Sequence, residues 1–365
     1  QQRLIEQEYG FSTFLGAAPL QPFTRQGRGI SSLEIAAAGR QSDVNRLIER
    51  LSRNDHKLTV IHGSSGVGKS SLINAGLVPA LETRIIGARE PMSVVQKAYR
   101  DWVGELERGL TEVLARRDIG RLQVEEGLQV ESSNQLSNLP SGNASGEKPS
   151  TSQKLQTILE QLRLFSERNL LTVLIFDQFE EFFFACTNLE ERRQFYDFLA
   201  QCLNLPFVKV ILSLREDYLH YLLECERYSN LNAINNNILD RQLRYPLGDL
   251  CPEDAKNVIC TLAAISQFQL EESLIERLVQ DLAGSSGTVR LIELQVVGAQ
   301  LQAEKITTLE QYYALGADPK ASLVERSLLN VISDCGKENE DTVWQVLFSL
   351  TDDRGTRPWK TQAEL

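Results

Sequence analysis

The clearest chemical signal is a glycine-rich octapeptide with a full Walker A spacing, Gly63-Ser64-Ser65-Gly66-Val67-Gly68-Lys69-Ser70. Its glycines would let backbone N–H groups turn towards phosphate oxygens, and a helix that begins at Lys69 would add its positive dipole end. Lys69 would reach the β- and γ-phosphates, and the Ser70 hydroxyl would bind Mg²⁺. With Ser71 included, this stretch predicts a nucleoside-triphosphate site, and a chance glycine turn is the alternative.

A second signal is the acidic block that follows the apolar run Leu171–Phe176. Asp177 at the tip of a buried strand would coordinate Mg²⁺, directly or through water. Glu180 or Glu181 could polarise the water that attacks the γ-phosphate. Adjacent positions point in different directions, so only one of the two is expected to face the nucleotide, and Glu181 is slightly preferred. For the other, the interpretation is a solvated helix start, where acidic residues favour the helix dipole.

A third signal is the apolar run Val208–Leu214, which carries Ser213 and ends at Arg215. Ligands of open α/β sheets bind at the carboxyl ends of the strands. Arg215 could therefore sense the γ-phosphate, and Ser213 could hold the attacking water. The alternative, at even weight, is that Arg215 only pairs with an acidic neighbour, which would be Glu216, Asp217 or Glu180.

These residues need a scaffold of alternating strands and helices, which the apolar patterns predict. Strands are predicted at 57–62, 84–86, 171–176, 208–214 and, more weakly, 241–245. The segment 92–116 has a helical pattern, and beyond residue 252 the pattern is helical only. Fully apolar strands alternating with helices favour an α/β fold with a parallel sheet covered on both faces.

The chain is expected to divide into several parts. We predict an irregular arm over 1–38, an α/β core over 39–250 and helices from 251 onwards. The segment 123–153 is rich in Ser, Asn, Gly, Glu and Gln and lacks aromatic residues, which predicts a flexible insertion.

Composition limits the function classes. The 365 residues suggest two or three units, and a formal net charge of −11 argues against a general nucleic-acid binder. No apolar run is long enough to cross a bilayer and no leader is visible. The six cysteines form no C-x-x-C pair and the three histidines are scattered, so we expect reduced thiols, no zinc site and a cytoplasmic location. The chain reads as an excerpt of a longer polypeptide.

Taken together, the motifs resemble the STAND class of signal-transduction NTPases within the AAA+-like P-loop group. The resemblance is strongest to the bacterial branch that is often fused to WD-repeat or other repeat domains. It covers most of the chain from about residue 38. It rests on Gly39-Arg40, GSSGVGKSSLINAGLVPAL (Gly63–Leu81), LIFDQFEEFF (Leu174–Phe183), LSLREDYLHYL (Leu212–Leu222), LIELQVVGAQL (Leu291–Leu301) and EQYYALG (Glu310–Gly316).

This resemblance implies a three-layer P-loop core, an all-α lid bundle over 251–318 and the start of a winged-helix domain over 319–365. Carried over by position, the residues that act on ATP or ADP and Mg²⁺ are Lys69, Ser70, Asp177, Glu181 and Arg215. The implied protein is a slow ATPase that works as a switch, closed with ADP and self-assembling into a homo-oligomer with ATP. Sensing repeats and an effector would lie outside this chain.

Three other functions remain open at the level of sequence. The first is a nucleotide-binding scaffold that never hydrolyses its ligand. The second is an AAA+ ATPase that loads onto DNA, which the acidic composition disfavours. The third and weakest is a metabolic kinase, for which the helical half offers no acceptor-pocket pattern.

Overall fold

The computed structural model describes residues 40–125 and 150–349, together with Thr351. The predicted arm at 1–38 lies outside the described residues, as does most of the predicted insertion. The chain forms two compact units, whose described parts are residues 40–248 and residues from 249 onwards.

The first unit contains a five-stranded parallel sheet with the order β2-β3-β4-β1-β5. Its strands are β1 (Leu58–Gly63), β2 (Glu90–Gln96), β3 (Leu170–Phe176), β4 (Val208–Arg215) and β5 (Arg244–Pro246). Every residue of β3 is buried, as are all residues of β4 before Arg215. Such fully apolar strands require helices on both faces of the sheet, because parallel strands expose no face to water. The predicted α/β fold is therefore confirmed.

Helices cover both faces of this sheet and form an apolar core on each side. One core packs the helix before β1 and the helix after it against residues such as Ile175 and Ile211. The other packs the long helices of the middle of the chain against Leu174 and Val210. The helices are α1 (Gln41–Ser52), α2 (Lys69–Ser71) with a π-helical continuation (Leu72–Leu77), α3 (Val78–Thr83), α4 (Trp102–Glu125), α5 (Thr151–Glu167), α6 (Glu180–Ala185), α7 (Leu189–Asn204) and α8 (Leu223–Tyr228).

Two sequence-based assignments between the loop and α4 are wrong. The predicted strand at 84–86 is a turn with a single bridge between Ile86 and Arg89, and Ile85 is 72% exposed. The predicted helix over 92–116 begins only at Trp102, because residues 90–96 form β2. Met92 and Val94 are buried at the two-residue spacing of a strand, but that pattern is short and merges with the helical pattern that follows it.

The insertion predicted over 123–153 also overlaps a helix at each of its ends. Helix α4 continues to Glu125, and α5 begins at Thr151. The start of α5 is fixed by a capping box, in which the Ser150 hydroxyl accepts from Gln153 N and Gln153 Oε1 accepts from Ser150 N. Residues 126–149 lie outside the described part of the chain.

The second unit is helical in its described part, which confirms the switch to an all-α pattern after the core. It contains α9 (Pro252–Ile265), α10 (Glu272–Ala283), α11 (Leu291–Ala303), α12 (Leu309–Tyr313), α13 (Pro319–Asp334) and α14 (Glu340–Ser349). An antiparallel bridge joins Leu250 to Val289. Across the residues that the structure describes, we find no helix whose length and apolarity would suit a bilayer span.

Helix α13 supplies a core residue to this helical unit. Leu323 is fully buried in the same apolar core as Leu274, Leu278 and Val297. We expect Leu323→Ala to destabilise the unit by about 2 to 4 kcal/mol, because the substitution leaves a cavity among packed neighbours. The exposed Leu329 on the same helix offers a matched control, and Leu329→Ala should change stability by less than about 0.5 kcal/mol. Urea unfolding of both variants measures the difference, and equal effects would contradict this packing.

Candidate nucleotide-binding site

The glycine-rich loop joins β1 to α2 at the carboxyl edge of the sheet. Gly66 has φ 78° and Gly68 has φ 94°, so both lie in the left-handed region that side chains other than glycine rarely adopt. Gly63 is needed for a different reason, since a Cβ there would lie 2.3 Å from the carbonyl oxygen of Leu247. The loop conformation thus requires all three glycines.

Lys69 at the start of α2 turns back onto this loop. Its Nζ donates to the carbonyl oxygens of Gly63 at 2.8 Å and Ser64 at 2.9 Å. Burial lowers the pKa of the Lys69 ammonium, and the nearby Glu180 carboxylate is the largest opposing influence. The predicted phosphate-binding cation therefore lies against the loop, with neutral oxygens as its hydrogen-bond partners.

Asp177 follows β3 and is completely buried. Its Oδ1 accepts hydrogen bonds from the hydroxyls of Ser70 and Ser213, both at 3.1 Å, and from Gln178 N at 3.0 Å. Ser213 reaches Asp177 because β4 lies between β1 and β3 in the sheet. The structure thus brings the two predicted Mg²⁺ ligands together. It also commits the Ser213 hydroxyl to Asp177, which does not suit the water-holding role predicted for it.

The backbone of Asp177 is held by two residues that sequence reasoning missed. Asp177 N donates to the carbonyl oxygen of Gln96 at 2.9 Å, and the Tyr99 hydroxyl donates to the Asp177 carbonyl oxygen at 2.6 Å. Burial raises the pKa of Tyr99 well above its usual value, so the phenol stays protonated and donates. Gln96 is the last residue of β2, and Tyr99 follows it. Both were missed because the sequence pattern assigned this region to a helix over 92–116.

Two further residues steady the loop and its helix. Asn74 Nδ2 donates to the Ser70 carbonyl oxygen at 2.6 Å and approaches Asp177 Oδ2 at 3.5 Å. The buried Arg40 donates to the carbonyl oxygens of Val67 at 3.0 Å and Gly248 at 2.6 Å. The four-residue spacing of Ser70 and Asn74 on a helix is a signal that could have pointed to Asn74. Arg40 belongs to the Gly39-Arg40 pair that contributes to the family resemblance, and its spacing alone indicates no role in the site.

The two candidate glutamates have different surroundings. Glu180 is half-buried, and its Oε2 accepts a hydrogen bond from the backbone N–H of Arg215 at 3.2 Å. Burial raises the pKa of Glu180, and Lys69 opposes this increase. Glu181 is exposed and receives no charge stabilisation from Lys69 or Arg215. This arrangement does not support the preference for Glu181, because Glu180 is the carboxylate that acts most strongly on the charge of the loop lysine.

Arg215 at the end of β4 forms an ion pair rather than standing free. Its Nε and Nη2 donate to the two carboxylate oxygens of Asp217, at 3.1 Å and 2.5 Å. The guanidinium also lies over the ring of Tyr218, 5.3 Å from the ring centre. The alternative considered for Arg215, a pair with a neighbouring acid, is the arrangement observed. The side chain is still partly exposed at the carboxyl edge of the sheet.

The donor set at this edge suits a hard cation. The Ser70 hydroxyl and the Asp177 carboxylate supply oxygen ligands 3.1 Å apart, and among the described residues Asp177 Oδ2 accepts only the 3.5 Å contact from Asn74. Within the described residues, no group of three or more His, Cys, Asp or Glu side chains could hold a metal by themselves. Mg²⁺ is usually bound by one or two protein ligands together with substrate phosphates, so this sparse set fits it.

Comparison with known families decides which group this site belongs to. The model of a family described as Novel STAND NTPase 1 matches residues 36–365. The chain belongs to this STAND NTPase family. The match spans both units, which confirms the resemblance inferred from the motifs and makes the parallel sheet a P-loop NTPase core that binds nucleotide. No curated protein sequence matches the chain significantly.

Several solved structures resemble this STAND NTPase. The Walker-type ATPase PABY2304 of Pyrococcus abyssi is 14% identical over 86% of this chain and 77% of its own, with a TM-score of 0.49. The Aeropyrum pernix ORC2 protein, in ADPNP-ADP complexes, is 12% identical over 79% of this chain and 67% of its own, also with a TM-score of 0.49. Domain III of the Thermotoga maritima replication initiation protein DnaA is 12% identical over 77% of this chain and 91% of its own, with a TM-score of 0.41. The family assignment rests on the family model and on none of these structures.

Proposed function

We propose that this STAND NTPase binds ATP with Mg²⁺ at Gly63–Ser71 and hydrolyses it slowly as a molecular switch. The observation that carries the proposal is the buried Asp177 carboxylate, which accepts the Ser70 hydroxyl directly behind the glycine-rich loop. A buried carboxylate is stable only with such partners, and here they belong to the predicted phosphate-binding segment. We propose ATP rather than GTP as the ligand because the family resemblance implies ATP.

Each residue of the site has a distinct task in this proposal. The backbone N–H groups of the loop and the Lys69 ammonium bind the phosphates. Ser70 and Asp177 hold Mg²⁺, which supplies positive charge to the β- and γ-phosphate oxygens when it is bound. Glu180 polarises the attacking water, and burial of its carboxylate makes it a stronger base than a solvated glutamate.

The switch arises from contacts that a nucleotide can replace. Lys69 binds the carbonyl oxygens of its own loop, and Arg215 binds Asp217. A γ-phosphate offers both cations a more highly charged partner, so ATP and ADP favour different arrangements of these side chains. Differential affinity of this kind shifts a conformational equilibrium. We propose that the ADP form is the resting state and that the ATP form assembles into a homo-oligomer in signalling or defence, linked to repeat and effector domains.

Nucleotide analysis of the purified chain tests this function. Mass spectrometry should detect ADP or ATP, rather than GDP or GTP, in the protein as purified. Hydrolysis should require Mg²⁺ and proceed between about 10⁻⁴ and 10⁻² per second, the range of nucleotide switches without an activator. Tight ATP binding without turnover would favour the non-hydrolysing scaffold instead. Turnover faster than about 1 per second would reject a switch.

A further inference from the structure

A cavity lies in the first unit, at the end of the sheet opposite the glycine-rich loop. It has a volume of about 590 Å³ and is lined by residues at the amino-terminal ends of β1, β3 and β4. The proposed nucleotide site lies at the carboxyl-terminal ends of the same strands, roughly 20 Å away, since each strand residue advances about 3.3 Å. The cavity is therefore separate from the loop, and the proposed function does not involve it.

The lining of this cavity is basic and contains no carboxylate. Lys57, Arg89 and Lys209 contribute to it, whereas no Asp or Glu is among its lining residues. This composition runs against that of the whole chain, whose formal net charge is −11. The other polar lining residues are neutral and include Asn54 and Asn169.

Within residues 40–125 and 150–349, the hydrogen-bond partners of the three cations are neutral. Lys57 Nζ donates to the Leu205 carbonyl oxygen at 2.9 Å, and Arg89 Nη1 donates to the Ser166 carbonyl oxygen at 3.1 Å. Lys209 Nζ donates to the carbonyl oxygens of Arg53 and His56. Among the described residues, none of the three forms an ion pair. Carbonyl oxygens satisfy hydrogen-bond donors but do not neutralise their charge. The Asp55 carboxylate acts on Lys209 but is itself paired with Arg53, so net positive charge remains around the cavity.

Two of these cations face each other across neighbouring strands. Leu58 and Val210 are paired in the parallel register of β1 and β4, so Lys57 and Lys209 are adjacent one position earlier. Lys209 is only 4% exposed. Burial lowers the pKa of both ammonium groups, and Lys57 further lowers the pKa of Lys209, to about 8. An anion placed between them would relieve this repulsion.

We propose that this cavity binds a small oxyanion with several negative charges, such as a phosphate compound or a polycarboxylate. Its volume lies within the range of about 300 to 1,000 Å³ that is usual for small-molecule sites. Each lysine ammonium has three donors, of which Lys57 uses one and Lys209 two, so both retain donors for the ligand. Arg89 supplies a planar guanidinium that suits either a phosphate or a carboxylate.

Calorimetric titration of the full chain tests the proposal, with inorganic pyrophosphate and citrate as separate probes. The titrations use the Lys69→Ala background without Mg²⁺ and at constant ionic strength, so that the glycine-rich loop contributes little. We expect at least one probe to bind, and Lys57→Gln and Arg89→Gln each to weaken it about tenfold or more. Binding of pyrophosphate alone identifies a phosphate compound, and binding of citrate alone identifies a polycarboxylate.

A matched control uses Lys154, which lies in the same unit but pairs with Glu107 at 3.4 Å. Lys154→Gln should leave the affinity unchanged. The use of two variants keeps the test valid if one of them fails to fold. The proposal is overturned if neither probe binds, or if Lys57→Gln and Arg89→Gln bind both probes as well as the parent does. Binding of polyglutamate without either small probe would also overturn it, because that result indicates a macromolecular surface. ATP affinity in the Lys69 wild-type background is an independent measurement and tests only the nucleotide site.

Discussion

Lys69→Ala is expected to weaken ATP binding about 100-fold or more. The substitution removes the ammonium that lies against the carbonyl oxygens of Gly63 and Ser64, and truncation of a charge paired with phosphate costs about 2 to 5 kcal/mol. Glu180 would also lose a cationic influence that lowers the pKa of its carboxylate, which adds repulsion towards the triphosphate. Calorimetry with ATP and Mg²⁺ measures the loss.

The control for this result is Lys154→Ala, which removes a lysine of the same unit that lies outside the loop. It should bind ATP as the wild type does. Circular dichroism of Lys69→Ala should remain native, because the substitution removes no side chain from either apolar core of the unit and leaves the pairing of β1 with β4 intact. ATP affinity equal to wild type in a folded Lys69→Ala protein would refute the assignment of Gly63–Ser71 as the nucleotide site.

The second large effect is expected at Glu180. Glu180→Gln should retain ATP binding but reduce hydrolysis about 100- to 1,000-fold, because it replaces the proposed general base with a neutral amide of the same shape. The amide oxygen can still accept from the Arg215 backbone N–H, so the local structure should persist. Single-turnover hydrolysis of radiolabelled ATP separates this chemical step from nucleotide release.

Glu181→Gln provides a control that differs by one position. Glu181 is exposed on the first turn of α6, so its substitution should change hydrolysis by no more than about twofold to threefold. The reverse ranking, with a large loss at Glu181 and a small one at Glu180, would restore the original sequence-based preference. Similar losses in both variants would rule out a single general base at this position.

The sequence predicted the parts of the site that depend on local spacing. The octapeptide and the following helix are contiguous, so the positions of Gly68, Lys69 and Ser70 relative to one another follow from their order along the chain. The apolar runs before Asp177 and Arg215 were equally local, and both are strands. Motifs of this kind need no knowledge of which strands are neighbours.

The remaining contacts could not be predicted because they join segments that are distant in sequence. The bond between Ser213 and Asp177 depends on β4 lying between β1 and β3, an order that apolar runs do not encode. The choice between Glu180 and Glu181 depends on the turn after β3, where Gln178 adopts φ 52° and sets the direction of the following residues. Tyr99 was missed because the strand before it was assigned to a helix.

The backbone N–H and the backbone carbonyl oxygen of Asp177 are both hydrogen-bonded, and this limits how far Asp177 can move during nucleotide exchange. Gln96 at the end of β2 and Tyr99 just after it hold its backbone, and both are buried residues outside the glycine-rich loop. Its carboxylate is thereby preorganised and should keep its position whichever nucleotide is bound. Lys69 and Arg215, by contrast, hold partners close to themselves in sequence and can release them without disturbing the sheet. In the proposed switch, the response to nucleotide state would therefore originate at Lys69 and Arg215, while the position of Asp177 would stay constant.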